Sequence, residues 1–133
     1  QHNDVRFVII GAYALSFYGE PRMTGDIDFW IYPDKDNAER LLRALSAFGF
    51  ASVSLSAADI LSGNVIQLGV APVRIDLLTE LSGVTTDEIW DQRIRGNLDT
   101  FAVDYIGKDT LIKNKRTIGR HKDLADIEAI QDS

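Results

Sequence analysis

The sequence TGDIDF, residues 24–29, decides how this chain is interpreted. Acidic and apolar residues alternate in it within a longer apolar run, a pattern typical of a half-buried β-strand. Because alternate residues of a strand share one face, Asp26 and Asp28 are expected to point the same way, while the residues between them point into a core. The stretch therefore predicts two carboxylates held on rigid backbone.

A third acid, Asp76, lies in a second apolar run, VRIDLL at residues 73–78. If the strand formed by this run lies beside the first, three carboxylates converge in a small volume. About three negative charges in one place are costly unless protons or divalent cations neutralise them. Mg²⁺, held by a few carboxylates and by substrate phosphates, fits this description best.

The segment VRFVIIGAYALSFYG, residues 5–19, precedes the acidic strand and is typical of a strand that runs through Gly11 into a short helix. Gly11 lets the backbone approach a ligand closely, and the free N–H groups in the first turn of a helix favour an anion. The segment therefore predicts a phosphate-binding turn ahead of the carboxylates.

Each of these features also has a plainer interpretation, which the residues alone leave open. Asp26 and Asp28 could line a solvated strand face, Asp76 could be an exposed acid paired with Arg74, and Gly11 could simply end a strand. The order along the chain favours a functional site, since a phosphate-type turn is followed by an acidic strand and then by an isolated strand acid.

In that order, Gly11-Ala12, Asp26-Ile27-Asp28 and Asp76 resemble the motifs of the nucleotidyltransferase superfamily related to DNA polymerase beta. Within it, residues 21–28 and the tail at 111–127 are similar to the small bacterial abortive-infection type IV toxin nucleotidyltransferases. The resemblance extends over nearly the whole chain, from residue 7 to residue 130. It implies an α/β (α+β) nucleotidyltransferase fold, with a mixed central sheet of about five strands flanked by helices.

The resemblance also implies a Mg²⁺-dependent reaction that moves a nucleoside monophosphate from a nucleoside triphosphate to a hydroxyl, with two ions expected at the site. Asp26 and Asp28 would be metal ligands, with Asp28 bridging, and Asp76 would be the second-metal ligand or a base near the acceptor hydroxyl. The acceptor stays open: a tRNA end, a protein side chain, or a small molecule such as an aminoglycoside.

Contacts to the nucleotide are expected from two regions of the chain. Gly11 and Ala12 belong to the turn, while Arg22 and Thr24 precede the acidic strand and are placed to clamp or position a phosphate. A basic cluster in the tail is suited to a triphosphate or to an RNA acceptor. Its candidate nucleotide-binding residues are Lys115 and Arg120.

One position departs from the family pattern, because many active members have Gly-Ser or Gly-Gly where this chain has Gly11-Ala12. Ala12 has no hydroxyl for a phosphate oxygen. This departure keeps open an alternative function, a catalytically inactive binding module of the same fold, such as one half of a toxin-antitoxin pair.

Composition limits the remaining possibilities. The 133 residues predict a single domain over 1–133, and the net charge of −6 argues against broad, sequence-independent nucleic-acid binding. There is no cysteine, no apolar run of 18 residues and no signal-like opening, so a soluble cytoplasmic protein without membrane contact is expected. The partners left open are an antitoxin or a second copy of the chain.

Other elements are predicted from periodicity and caps. Asp36 and Glu39 resemble a capping box, which would open a helix over residues 37–48. Strands over residues 65–70 and 73–79 are expected to form an antiparallel hairpin, so the sheet should be mixed.

Further along, a helix is predicted over residues 86–95 with Ile94 facing inward, followed by a short strand over 100–106. Asp109 is expected to cap the next helix, and the last helix is predicted over residues 123–131. The apolar residues expected on its buried side are Leu124, Ile127 and Ile130.

Overall fold

Six strands form one sheet in the part of the chain that the computed structural model describes, residues 4–19, 25–47, 55–70 and 73–131. The strands are β1 (Phe7–Ile10), β2 (Asp26–Ile31), β3 (Ile66–Val70), β4 (Val73–Leu78), β5 (Ile94–Leu98) and β6 (Phe101–Tyr105). The helices described are α1 (Gly11–Phe17), α2 (Lys35–Leu45), α3 (Ala57–Ile60), α4 (Thr86–Asp91), α5 (Lys108–Ile118) and α6 (His121–Gln131).

The strand order across the sheet is β3-β4-β2-β1-β6-β5. The pairs β3–β4, β1–β2 and β5–β6 are antiparallel, while β2–β4 and β1–β6 are parallel. The expected mixed sheet and the β3–β4 hairpin are thus confirmed. The expected number of strands is wrong, because the sheet has six strands and not five.

The additional strand is β5, which lies where the sequence predicted the end of a helix. A capping box between Thr85 and Glu88 opens α4, but the helix ends at Asp91 and strand β5 begins at Ile94. The side chain of Ile94 is therefore half-exposed instead of facing inward. A tight turn at Asp99, which adopts a φ of 56°, returns the chain into β6. Cross-strand pairing with β6 decides this conformation, in spite of the poor strand formers within β5.

Helices cover both faces of the sheet at β2. Trp30 and Ile31 are consecutive in the strand and point to opposite faces, and both are fully buried. Trp30 packs in a cluster that includes residues of α4, α5 and α6, whereas Ile31 packs with residues of α2 and α3. The face that carries the acidic residues is thus solvated only towards the start of β2.

Trp30 also ties β2 to the segment that follows β4. Its indole N–H donates to the carbonyl oxygen of Thr79 over 3.1 Å, and its ring lies 6.5 Å from that of Trp90. The guanidinium of Arg93 stacks on the Trp90 ring, 3.7 Å from its centroid. This packing holds the two acid-bearing strands in one register.

The cap of α2 differs from the expected one. Asp34, not Asp36, is the N-cap, and its side chain accepts a 2.7 Å hydrogen bond from the backbone N–H of Asn37. Asn37 is fully buried and bonds to backbone groups of Arg6 and Tyr32, which fixes where the helix leaves β2. The helix ends at Leu45, and residue 48, its predicted end, lies outside the described residues.

The last two helices also begin earlier than expected. Helix α5 has Gly107 as its N-cap, so Asp109 lies in the first turn and does not cap it. Helix α6 begins at His121, and Asp123 accepts from the backbone N–H of Arg120 instead of standing at the cap. Ile127 and Ile130 are buried as predicted, but Leu124 is 46% exposed, so that part of the prediction is wrong.

Candidate active site

The parallel pairing of β2 with β4 brings the acidic residues together. Asp28 lies opposite Asp76, and Asp26 lies opposite Arg74. The condition stated above, that the two acid-bearing strands lie side by side, is therefore met. Asp28 also faces Ile10 of β1, the residue just before Gly11, so the turn and the carboxylates meet at one point of the sheet.

The surroundings of Asp28 perturb its carboxyl group. Partial burial raises the pKa of its carboxyl from the usual 3.8 to about 6, and the hydrogen bond with Asp76 and the charges of Asp76 and Asp26 act in the same direction. The positive charge of Arg74 opposes them. Two carboxyl groups held in one hydrogen bond share a proton more readily than they carry two charges.

Arg74 supplies the positive charge at the site. It donates from one guanidinium nitrogen to Oδ2 of Asp26 over 3.0 Å, and its Nε lies 3.3 Å from Oδ1 of Asp76. The pairing of Asp76 with Arg74, one of the alternatives left open above, is thus present. Asp76 is not an exposed strand acid, however, since its side chain is only 13% exposed.

The contact between Arg74 and Asp76 is close but incomplete. Nε of Arg74 and Oδ1 of Asp76 are both buried, and neither has a hydrogen-bond partner among the described residues. A buried carboxylate oxygen without a donor costs free energy, so a further cation or donor would stabilise it. This oxygen is the site's clearest acceptor for a ligand that the chain itself does not supply.

Gly11 is required by its contact with Asp28. It adopts a φ of +67°, and a Cβ atom at this position would overlap Oδ2 of Asp28. Helix α1 then runs for only seven residues, and Ile10, its N-cap, makes no side-chain capping bond. Gly11 therefore leaves room for the Asp28 carboxylate, and its role towards a phosphate stays a prediction.

Replacing Gly11 with alanine should lower the free energy of unfolding by about 2 kcal/mol, because strain at positive φ adds to the overlap with Asp28. Gly119→Ala is a matched control, since Gly119 has a φ of +71° but an added Cβ would lie 3.5 Å from its nearest neighbour, the carbonyl oxygen of Arg116. Gly119→Ala should lower the free energy of unfolding by about 1 kcal/mol. Equal losses in urea denaturation would show that Asp28 moves aside at no cost.

Of three further residues predicted to contact the nucleotide, the structure describes only Ala12. Arg22 and Thr24 lie outside the described residues. Ala12 follows Gly11 in the first turn of α1 and is partly buried. Their roles towards a nucleotide stay predictions.

Lys115 and Arg120 belong to an ionic cluster between α5 and α6. Lys115 is nearly buried, with its Nζ 3.0 Å from Oδ2 of Asp126 and 3.6 Å from Oδ1 of Asp123. Arg120 is exposed and donates to Asp123 over 2.6 Å from Nε. This bond and the charges of both basic residues hold the pKa of the Asp123 carboxyl below its usual range. Asp123 is thus an ion-pair partner of Lys115 as well as of Arg120.

Two contributions at these sites were not foreseen. One is the bond of Arg74 to Asp26, for which the signal was the position of Arg74 on the strand face that also carries Asp76; only its pairing with Asp76 had been considered. The other is Asp126, which was not singled out because its partner Lys115 lies 11 residues away on a different helix, beyond the reach of any local pattern.

The donor set suits a hard divalent cation, although its present arrangement does not form a complete cage. Among the described residues, no three acidic or histidine side chains are arranged to hold a metal ion. Asp28 and Asp76 provide adjacent carboxylate oxygens, one of them lacking a partner, and Asp26 is bonded to Arg74. These residues fit Mg²⁺ as oxygen ligands once Asp26 is released.

Comparisons with known proteins give no assignment: no protein-family model matches the chain, and no curated protein sequence matches it. No helix in the described parts of the chain has the length and apolar character that a bilayer span requires.

The raised pKa of Asp28 predicts a pH dependence of stability. The unfolded chain releases this proton near pH 4 and the folded chain near pH 6, so raising the pH through that window weakens the fold. After a discount for the partial exposure of the carboxyl, the cost is about 1 to 2 kcal/mol. The Asp28→Asn substitution removes this cost, because asparagine does not ionise.

Urea denaturation without divalent cations should therefore show the Asp28→Asn variant gaining stability over the wild type between pH 4 and pH 7. Asp91→Asn, which changes an exposed acid at the end of α4, is the control and should show no such gain. A constant difference between Asp28→Asn and wild type over this range would contradict the raised pKa.

Proposed function

We propose that the chain is a Mg²⁺-dependent nucleotidyltransferase, which moves a nucleoside monophosphate from a nucleoside triphosphate to a hydroxyl acceptor. The observation that carries this proposal is the register of β2 and β4, which sets Asp28 beside Asp76. Partial burial, together with the neighbouring Asp76, raises the pKa of the Asp28 carboxyl. A perturbed carboxyl group that lies beside a second carboxylate on the adjacent strand, next to a glycine turn, supports a site for phosphoryl chemistry more than a structural ion pair.

In this reaction a bond forms between the acceptor oxygen and the α-phosphorus, the bond from that phosphorus to the bridging oxygen breaks, and pyrophosphate leaves. Bound Mg²⁺ would supply charge neutralisation of the triphosphate and activation of the hydroxyl. Asp28 and Asp76 would hold it, with Asp26 as a further ligand. The proton of the acceptor hydroxyl must be taken up, and Asp76 is the candidate base because its Oδ1 lacks a hydrogen-bond donor.

The test is pyrophosphate release from each of the four common nucleoside triphosphates, with Mg²⁺ or with a chelator, in the presence of tRNA, protein or aminoglycoside. This readout is independent of which acceptor is used. We expect Mg²⁺-dependent release with at least one combination, and α-phosphate label on the acceptor. Release that persists in the chelator would contradict the proposed chemistry.

A second candidate function is an inactive binding module of the same fold, such as one half of a toxin-antitoxin pair. Two observations favour it: Ala12 lacks a hydroxyl, and Arg74 already neutralises part of the acidic site. Nucleotide binding by calorimetry, equally strong with and without Mg²⁺ and without pyrophosphate release, would support this module. A cytoplasmic location and an antitoxin or a second copy as partner belong to either proposal.

A further inference from the structure

Arg74 interacts with two of the acids that the proposed function assigns to a divalent cation. Its guanidinium bonds Oδ2 of Asp26 over 3.0 Å, and its Nε lies 3.3 Å from Oδ1 of Asp76. A metal ion would need oxygen atoms of the same two side chains. Guanidinium and cation are therefore alternative ligands for one set of carboxylates.

The two contacts differ in a way that makes Arg74 displaceable. The bond to Asp26 is partly exposed on both sides, since both side chains are about two-fifths exposed. The contact to Asp76 lacks hydrogen-bond geometry and leaves both of its atoms without partners. A partly exposed ion pair contributes little stability, so its loss is readily offset by metal coordination.

We propose that Arg74 is a built-in counter-ion of the acidic site, which competes with the divalent cation for Asp26 and Asp76 and is displaced when the cation binds. This inference rests on the proposed function and adds a regulatory contact to it. Without a cation, Arg74 limits the repulsion among the three acids. When the cation binds, the guanidinium is released close to the site, where an anionic triphosphate is its natural partner.

The first test is Mn²⁺ affinity, measured by electron paramagnetic resonance without nucleotide on wild type and on Arg74→Gln. Removing the competitor should tighten Mn²⁺ binding about tenfold. Arg95→Gln is the matched control, because Arg95 is also a strand arginine paired with an aspartate, Asp104, at 3.0 Å. Its Mn²⁺ affinity should equal that of the wild type.

Unchanged or weaker Mn²⁺ binding by Arg74→Gln would overturn the inference, since Arg74 would then be irrelevant to the ligands or would organise them. Absence of Mn²⁺ binding in both proteins would overturn it as well. Pyrophosphate release by wild type together with unchanged affinity in the variant leaves the proposed function standing and removes the inference. Tighter Mn²⁺ binding by Arg74→Gln without any pyrophosphate release by the wild type leaves the inference standing and removes the proposed function.

A second measurement uses the wild-type chain, in case Arg74→Gln does not fold. The side-chain Nε–H signal of Arg74, assigned by its loss in Arg74→Lys, is followed by nuclear magnetic resonance during Mg²⁺ titration. The signal should shift with the same midpoint as Mg²⁺ binding measured by calorimetry. A signal that stays in place while Mg²⁺ binds would overturn the displacement.

Discussion

Replacing Lys115 with methionine is expected to lower the free energy of unfolding by about 3 kcal/mol, the largest stability change predicted for this chain. The Asp123 and Asp126 side chains are 0% and 1% exposed, and Lys115 is an ion-pair partner of both. Methionine keeps the length of the side chain but removes its charge. The buried Asp126 carboxylate would then lose its ion pair with Lys115, while Asp123 would keep its contact with Arg120.

The same helix provides the control. Lys113 is exposed and pairs with Glu88 over 2.7 Å, so Lys113→Met should cost less than about 0.5 kcal/mol. The double variant Lys115→Met with Asp126→Leu should regain much of the lost free energy of unfolding. In this variant the buried carboxylate of Asp126 is removed together with its lysine partner. Equal effects of the two lysine substitutions in urea denaturation would show that the cluster is effectively solvated.

Replacing Asp28 with asparagine is expected to reduce the rate of pyrophosphate release by about 10³-fold or more, while the fold is retained. Asparagine has nearly the same shape but no negative charge, so it offers one neutral oxygen where a cation needs a carboxylate. The variant still fits beside Gly11 and can donate a hydrogen bond to Asp76. The loss therefore reports on chemistry and not on packing.

The measurement is the rate of pyrophosphate release at saturating nucleotide and Mg²⁺, with the free energy of unfolding determined on the same preparations. Asp91→Asn, an exposed acid outside the site, should leave the rate within about twofold of the wild type. Turnover by Asp28→Asn at the wild-type rate would remove Asp28 from the site and with it the proposed reaction. We expect the Asp28→Asn variant to be folded but inactive and the Asp91→Asn variant to be active.

The core of the site was predictable because its signals are local. Alternation of acids with apolar residues places Asp26 and Asp28 on one strand face, and the same pattern around Asp76 supplies the neighbouring strand. Parallel pairing in this register could not be derived, since it depends on contacts between residues far apart in the sequence. The close approach of Asp28 to Gly11 was hidden for the same reason.

Other predictions from the sequence were wrong where two local conformations compete. Asp34 and Asp36 lie two residues apart and both suit an N-cap, and only the buried bonds of Asn37 decide between them. Strand β5 contains Gly96 and Asn97, which weaken any strand signal, and it forms because β6 offers backbone partners. In both cases tertiary contacts outweigh propensity.

The parallel pairing of β2 with β4 has a consequence for how the chain folds. Its partners Asp26 and Arg74 are 48 residues apart, so this pairing closes the long loop through α2, α3 and β3 before it gains any contact. Non-local parallel pairing is intrinsically slow, whereas the β3–β4 and β5–β6 hairpins form from near neighbours. The carboxylates are thus assembled by one of the most entropically demanding steps of folding, and their mutual repulsion opposes that step until Arg74, a proton or a cation offsets it.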